Sequence, residues 1–139
     1  MEPTEILRRC NEITKNTLME TLGITYTAVT ADSLTASMPV TTAVYQPDGV
    51  LHGGATAALA ESAGSAACYV FLDTQDHMVR GLEISANHVR SVSSGHVHAT
   101  ASMLHHGRTT QIWEIRIVDD ADQLISICKL STIRLPKKN

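Results

Sequence analysis

The chain has 139 residues, of which 43% are hydrophobic and 18% are charged, and its formal net charge at pH 7 is -3. This composition suits one globular domain over residues 1–139 and excludes an intrinsically disordered protein. Lysine and arginine are scattered, so neither a nucleic-acid partner nor an anionic membrane surface is expected. The cysteines Cys10, Cys68 and Cys128 form no C-x-x-C pair, which argues against a disulfide framework or zinc knuckle and favours a reducing cytoplasm.

The N-terminal third of the chain predicts a helix followed by a hairpin. The first residues lack the basic and apolar regions of a signal peptide, so secretion is not predicted. Residues 4–22 carry apolar side chains at helical spacing, which predicts an amphipathic helix packed on the outside of the core. Residues 24–28 and 34–40 alternate apolar and polar side chains around a short turn, which predicts two paired strands.

The middle of the chain predicts one long helix at residues 53–71, rich in alanine, glycine and serine. Its small side chains let other elements approach closely, so we expect a central helix wrapped by a sheet. The stretch contains Glu61 and is too polar for a membrane span. Four further strands are predicted at residues 82–86, 97–103, 113–117 and 125–127. Short turns between them predict antiparallel pairing, and the order of elements indicates an α+β architecture.

Glu61 is the only charged side chain between Asp48 and Asp73. Burying an unpaired carboxylate costs several kcal/mol, so a residue of this type at the centre of a buried helix needs an explanation. One explanation is an exposed position or a subunit boundary. No lysine or arginine lies three or four residues away, which excludes a helical ion pair and favours a functional role. Ser65, one turn later, either packs as a small residue or holds a water beside the carboxylate.

The long helix begins with the pair Gly53-Gly54, preceded by His52. Glycine at a helix start lets a ligand approach the free backbone N–H groups, where the helix dipole favours negative charge. This pattern is typical of an oxyanion hole for a carbonyl, although glycine pairs before helices are common. His52 either orients this site or caps the helix.

Several histidines lie along one predicted strand and at its end, namely His96, His98, His105 and His106. No carboxylate or cysteine stands at ligand spacing beside them in the sequence, so no metal site is predicted. Trp113 is predicted to belong to the core.

A set of motifs, distributed in order over nearly the whole chain, resembles the hotdog-fold thioesterases. The motifs are Val50-Leu51-His52-Gly53-Gly54, Leu59-Ala60-Glu61-Ser62, Gly64-Ser65, Gly81-Leu82-Glu83-Ile84, Ala86-Asn87-His88-Val89-Arg90, His106-Gly107-Arg108 and Gln111-Ile112-Trp113. The resemblance is to the PaaI-like branch with a helical glutamate, which includes the 4-hydroxybenzoyl-CoA, 1,4-dihydroxy-2-naphthoyl-CoA and enterobactin-proofreading thioesterases. One departure is Asp48, where the branch tends to have an apolar or aromatic residue.

This resemblance implies a long helix wrapped by an antiparallel sheet and the hydrolysis of an acyl-CoA thioester with an aromatic or hydroxylated acyl group, or of a carrier-protein thioester. It implies that Gln46, His52 and Gly53 line the thioester carbonyl, that Glu61 is nucleophile or general base, and that Ser65 positions water. It also implies that His88, Arg90 and the turn Gly107-Arg108-Thr109 face coenzyme A. No cofactor is expected, because thioesters are already activated.

Helix geometry predicts an oligomer. Glu61 lies eight residues after Gly53 on the same helix, which separates their backbones by roughly 12 Å. A glutamate side chain does not easily close this gap, so we expect a homodimer in which Glu61 of one subunit meets Gly53 of the other. The resemblance implies the same composite site, commonly in a dimer of dimers. Two alternatives are a hotdog (3R)-hydroxyacyl dehydratase and a non-catalytic acyl-CoA sensor.

Overall fold

The β-strands form one antiparallel sheet of six strands in the computed structural model, which describes residues 1–138. In chain order the elements are α1 (Pro3–Glu12), α2 (Leu18–Leu22), β1 (Thr25–Val29), β2 (Ser33–Pro39), α3 (Gly53–Phe71), β3 (His77–His88), β4 (His96–His106), β5 (Thr110–Asp119) and β6 (Leu124–Pro136). The strand order across the sheet is β1-β2-β4-β5-β6-β3. The predicted α+β architecture, with about six antiparallel strands and one long helix, is confirmed.

The long helix α3 packs on the sheet through a face of small side chains. Its buried residues are Thr56, Leu59, Ala60, Ala63, Gly64, Ala66, Ala67 and Cys68. At Gly64 the approach is so close that a Cβ atom there would lie 2.6 Å from Leu130 Cδ2 of β6. Larger side chains on this face would push the helix away from the sheet and open voids in the core.

The sheet wraps α3 as predicted, but within one chain part of the helix surface remains exposed. Gly54, Glu61 and Tyr69 are exposed on this surface. Within one chain the Glu61 carboxylate remains in contact with solvent, so the free-energy cost of desolvating it is small. Glu61 is therefore an exposed residue without charged neighbours on the helix, and it is not an isolated charge in the core.

The single helix predicted for residues 4–22 is two helices, α1 and α2. Asn16 between them has a φ of 61°, which a right-handed helix does not contain. Thr14 Oγ1 donates to the Asn11 carbonyl at 2.7 Å, and Thr17 Oγ1 donates to the Thr14 carbonyl. These side-chain hydrogen bonds compete with the helical backbone pattern and end α1. The predicted outside position is correct, since α1 carries a single buried residue, Cys10.

The core joins the sheet to α3 by apolar packing and a few buried polar contacts. Trp113 is fully buried, as predicted. Its Nε1 donates to Thr132 Oγ1 at 3.3 Å, and Thr132 donates to the side-chain oxygen of Gln111 at 3.0 Å. On the other side of α3, the Tyr26 hydroxyl donates to the Ser62 carbonyl, and burial raises the pKa of Tyr26. These contacts fix the position of α3 on the sheet.

Strand β3 does not pair with the strand that follows it in sequence. It pairs with β6, so the antiparallel hairpin expected between β3 and β4 is wrong. The intervening segment 89–95 crosses from β3 at one edge of the sheet to β4, which is the third strand from the opposite edge. The pairing of β3 with β6 has a β-bulge between Gly81 and Glu83. Within residues 1–138, the opposite edge of β3 has no strand beside it.

Cys10, Cys68 and Cys128 are separate, buried thiols, and none forms a disulfide in the described part of the chain. Burial raises the pKa of each thiol, so these cysteines behave as packing residues. None of the helices within residues 1–138 has both the length and the apolar character needed to cross a membrane.

Candidate active site

The N-terminus of α3 opens onto a cleft of about 360 Å³. Its walls come from the segment before α3, from the first turn of α3, from the end of β3 and from the segment after it. The lining residues are Gln46, Val50, Leu51, Gly53, Thr56, His88, Val89, Arg90, Ser91, Val92 and Ile125. Four residues that the sequence predicted for one site, namely Gln46, Gly53, His88 and Arg90, therefore line one cavity.

Gly53 presents a free backbone N–H to this cleft. It is the first residue of α3, and its N–H has no acceptor among residues 1–138. His52 is the N-cap residue, and its Nδ1 accepts the N–H of Gly54 at 2.7 Å. His52 therefore caps the helix. Because Nδ1 accepts a hydrogen bond, the ring carries its proton on Nε2, which is a donor.

The amide of Gln46 is oriented by the turn that follows it. Its Oε1 accepts the backbone N–H of Asp48 at 2.6 Å, which leaves the side-chain NH₂ group as a donor on the cleft side. The Asp48 side chain is exposed and does not line the cleft. The departure from the family pattern at this position therefore leaves the wall of the cleft unchanged.

His88 is held by a residue that the sequence analysis missed, Ser126 of β6. Ser126 is fully buried, and its hydroxyl donates to the Asn87 carbonyl at 3.1 Å. The hydroxyl therefore accepts from His88 Nδ1, 3.0 Å away, which leaves Nε2 as an acceptor. That Nε2 lies over Gly53, 2.8 Å from the position that a Cβ atom would take. No local signal in the sequence relates Ser126 to His88, because the pairing of β3 with β6 is not sequential.

Glu61 and Ser65 lie in a second depression, of about 340 Å³, on the uncovered side of α3. Its walls are mostly apolar and include Ile13 and Tyr69. This depression shares no lining residue with the cleft at Gly53. The Glu61 carboxylate lies against β3, where a Cβ atom on Gly81 would be 2.6 Å from Oε1. One chain therefore holds the carboxylate and the free N–H in two separate cavities.

The turn Gly107-Arg108-Thr109 is distant from the cleft in the same chain. It joins the end of β4 to the start of β5, whereas the cleft lies at the opposite end of the sheet. At about 3.3 Å per residue, β4 separates the two ends by roughly 35 Å. Arg90 and Arg108 are both exposed, and one chain does not bring them together.

The four histidines divide into two pairs at opposite ends of β4. His96 and His98 stack with ring centroids 6.3 Å apart, and Asp120 from the β5–β6 turn lies 2.7 Å from His98 Nε2. A carboxylate that is distant in sequence therefore lies beside this pair. The hydrogen bond to His98 lowers the pKa of Asp120. No group of three or more histidine, cysteine, aspartate or glutamate residues within residues 1–138 is arranged to hold a metal ion.

Comparison with protein families gives a match to the thioesterase superfamily over residues 48–126, which is more than half of the chain. The chain belongs to the thioesterase superfamily. It is a thioester hydrolase of the PaaI-like branch, as the sequence motifs predicted. The proofreading thioesterase EntH of Cronobacter turicensis is 49% identical over 127 residues, which are 91% of each chain.

Solved thioesterase structures have the same fold. A variant of a Pseudomonas aeruginosa thioesterase is 44% identical, with a TM-score of 0.92 over 94% of each chain. A Haemophilus influenzae thioesterase is 38% identical, with a TM-score of 0.90 over 94% of this chain and 90% of its own. The six-stranded sheet around α3 is therefore the hotdog fold of these thioesterases.

Replacing Ser126 by alanine should remove the preference of His88 for one neutral tautomer. Without the hydroxyl, Nδ1 loses its acceptor, and the ring should populate both neutral tautomers. Nitrogen NMR of ¹⁵N-histidine-labelled protein should show one neutral form, protonated at Nδ1, in the wild type and a mixture in Ser126→Ala. Ser85→Ala, an exposed serine on β3, is the control and should leave the His88 signals unchanged. A wild-type ring protonated mainly at Nε2 would contradict the assignment.

Proposed function

We propose that this thioesterase hydrolyses an acyl-CoA with an aromatic or hydroxylated acyl group to the free acid and coenzyme A, in a site that two subunits share. The observation that carries the proposal is the division of the chemistry between two cavities. Gly53, with its free N–H, lines one cavity, and Glu61 lines the other. Each cavity holds half of what thioester hydrolysis requires.

The cleft at Gly53 supplies the groups that bind the thioester carbonyl. Negative charge develops on the carbonyl oxygen as the tetrahedral intermediate forms, and a free N–H at a helix N-terminus stabilises it. The Gln46 NH₂ group is a second donor in the same cleft. The His88 ring lies over Gly53 with an acceptor nitrogen, which suits an amide N–H of the pantetheine arm.

Glu61 supplies the group that attacks or that activates the attacking water. As a nucleophile, the carboxylate adds to the carbonyl carbon, expels the coenzyme A thiolate and forms a mixed anhydride that water then hydrolyses. As a general base, it takes a proton from a water that adds to the same carbon. Ser65, in the same depression, holds that water in either case. This chemistry requires no cofactor, because the thioester is already activated.

A two-fold axis at the free edge of β3 joins the two halves. An unpaired strand of twelve residues offers a complete row of backbone donors and acceptors to a second copy of itself. Leu82 on this strand and Val89 just after its end expose large apolar side chains, 58% and 61% exposed respectively. Pairing of β3 with the β3 of a second subunit would cover both side chains and extend the sheet.

The contacts of Gly81 and His88 favour one register for this pairing. Glu61 lies against Gly81, and His88 lies over Gly53. In an antiparallel pair with its axis between residues 84 and 85, Gly81 faces the partner subunit's His88. The Glu61 carboxylate then reaches the partner's cleft, and the dimer contains two such composite sites.

The same register accounts for the distant turn at residues 107–109. Thr110, which follows the turn, pairs with Ile133, and Ile133 pairs with Arg80 on β3. An axis between residues 84 and 85 sets Arg80 opposite the partner subunit's Val89, beside the partner's cleft. Arg108 of one subunit and the partner subunit's Arg90 thus lie at the same end of the extended sheet, where arginine side chains suit the phosphates of coenzyme A.

The relatives support thioester hydrolysis and this choice of residues. The related EntH is named a proofreading thioesterase. A Staphylococcus aureus thioesterase, 39% identical with a TM-score of 0.82, has been solved as alanine variants of a glutamine and of a glutamate that stand fifteen positions apart. Gln46 and Glu61 have the same separation. Hydrolysis is accordingly favoured over the dehydratase and sensor alternatives.

Replacing Glu61 by glutamine or alanine should lower kcat by about a thousandfold, as expected for the loss of a nucleophile or general base. The melting temperature should change little, because the side chain is exposed within the chain. Thiol release from a panel of acyl-CoAs measures activity and also identifies the acyl group. Glu114→Gln on β5 is the control and should keep wild-type activity. Retention of more than a tenth of wild-type kcat in Glu61→Gln would defeat the proposal.

Mixing two inactive variants should restore activity if the site is shared. Gly53→Pro removes the N–H, and the extended backbone of His52, with ψ of 130°, accepts a following proline. A heterodimer of Gly53→Pro and Glu61→Ala has one intact site, so it should have about half the wild-type activity. Two affinity tags isolate the heterodimer, and light scattering gives its mass. Folded heterodimers without activity, or a fully active monomer, would show that one chain builds the site. Association of two dimers into a tetramer is a further expectation that the mass tests.

Replacing Arg90 or Arg108 by alanine should separate recognition from chemistry. Losing a charge-assisted contact to a phosphate should raise KM for acyl-CoA roughly tenfold while kcat changes little. A pantetheine thioester, which lacks the nucleotide, should respond to neither change. Arg116→Ala, an exposed arginine in the middle of β5, should behave as wild type with both substrates. Equal losses on the two substrates would return both arginines to the role of surface charges.

A further inference from the structure

Gly81 of β3 lies directly beneath the Glu61 carboxylate. A Cβ atom on Gly81 would be 2.6 Å from Glu61 Oε1 and 3.7 Å from its carboxyl carbon. Non-bonded carbon and oxygen atoms do not approach to 2.6 Å, so a side chain at position 81 and the present position of the carboxylate exclude each other.

The backbone of Gly81 does not itself require glycine. The glycines with positive φ are Gly23, Gly49 and Gly95, and Gly81 is not among them. A Cβ atom on Gly81 would also lie 3.6 Å from Leu130 Cδ1, which is an ordinary van der Waals contact, so Glu61 is the only neighbour that it would crowd. Space for Glu61 is therefore the physical reason for a glycine at this position.

A methyl group at position 81 would move the carboxylate rather than the strand. The atom in contact is the end of a flexible side chain, which can rotate away at little cost, whereas β3 is held by its pairing with β6. The clash would thus leave the fold intact and place the carboxylate away from its present position.

We propose that Gly81 is a positioning residue for catalysis: the missing side chain leaves the gap on β3 through which the Glu61 carboxylate reaches the edge of the sheet and the partner's thioester. This inference rests on the proposed role of Glu61. In the register described above, Gly81 faces the partner subunit's His88, so the same gap keeps the path between the carboxylate and the partner's cleft open.

Gly81→Ala should lower kcat about thirtyfold or more and leave KM for acyl-CoA within about threefold of wild type, because a displacement near 1 Å can cost a hundredfold in rate. Thermal unfolding and light scattering should show a folded protein of wild-type mass. A loss of activity in a protein of unchanged mass would indicate a displaced carboxylate. A damaged subunit interface would instead change the mass.

Shortening the side chain at position 61 should relieve the clash. Glu61→Asp alone should lower kcat, because its carboxylate is withdrawn by one methylene. The double variant Gly81→Ala with Glu61→Asp should be within about threefold of Glu61→Asp alone, since the shorter side chain no longer meets the added methyl group. The kcat of the double variant should therefore exceed the value obtained by multiplying the losses of the two single variants. General destabilisation of the fold would not produce this difference.

Gly64→Ala is a matched control for crowding. Its Cβ atom would also meet an atom at 2.6 Å, but that atom is Leu130 Cδ2 in the core. Gly64→Ala should lower the melting temperature, and Glu61→Asp should not compensate for it. If Gly81→Ala keeps more than half of wild-type kcat, or if its loss simply multiplies with that of Glu61→Asp, the inference is wrong. An active Glu61→Gln variant would instead disprove the proposed role of Glu61. Failure of the inference on Gly81 and failure of the proposed function are therefore distinguishable.

Discussion

The close approach of α3 to the sheet is the constraint on which the rest of the structure depends. The buried face of the helix is built from alanine, glycine and other small residues, and at Gly64 there is no room for even a methyl group. Because the helix is fixed at this depth, its first residue opens onto the cleft and its middle turn brings Glu61 against β3. The same packing leaves Gly54 and Tyr69 of α3 exposed, and the exposed Glu61 carboxylate lies at the margin of the sheet, against Gly81 of β3.

The polar groups at the cleft are oriented by neighbours in the protein before any substrate arrives. Gln46 is fixed by the N–H of Asp48 and His88 by Ser126, while His52 caps Gly54 outside the cleft lining. Each contact uses one hydrogen-bonding atom of the side chain and leaves the other available. Fixed donors and acceptors of this kind need little reorganisation when charge develops on a substrate, which is a principal source of catalytic power.

The free edge of β3 connects the fold to the proposed assembly. Exposed sheet edges are commonly protected by charges, proline or short length, because an unprotected edge pairs with other chains. β3 is instead twelve residues long and exposes Leu82, and Val89 is exposed just after its end. An exposed edge of this kind would promote aggregation of a monomer. The same strand also contacts both parts of the proposed site, Glu61 through Gly81 and Gly53 through His88. In the proposed dimer, assembly and catalysis therefore depend on the same strand.

The sequence by itself determined the elements and most of the candidate residues. Periodicity and residue size are local properties, so the small-residue helix, the alternating strands and the free N–H of Gly53 could be predicted, and the family motifs indicated the hotdog fold. The break at Asn16 was missed because two threonine hydroxyls compete with the helix. Only the tertiary structure decided the pairing of β3 with β6, the contact of Ser126 with His88, 38 residues apart, and that of His98 with Asp120, 22 residues apart. It also decided that Glu61 is exposed and that Gly81 leaves space for its carboxylate. These features depend on which distant segments meet, and local patterns of side chains do not encode that.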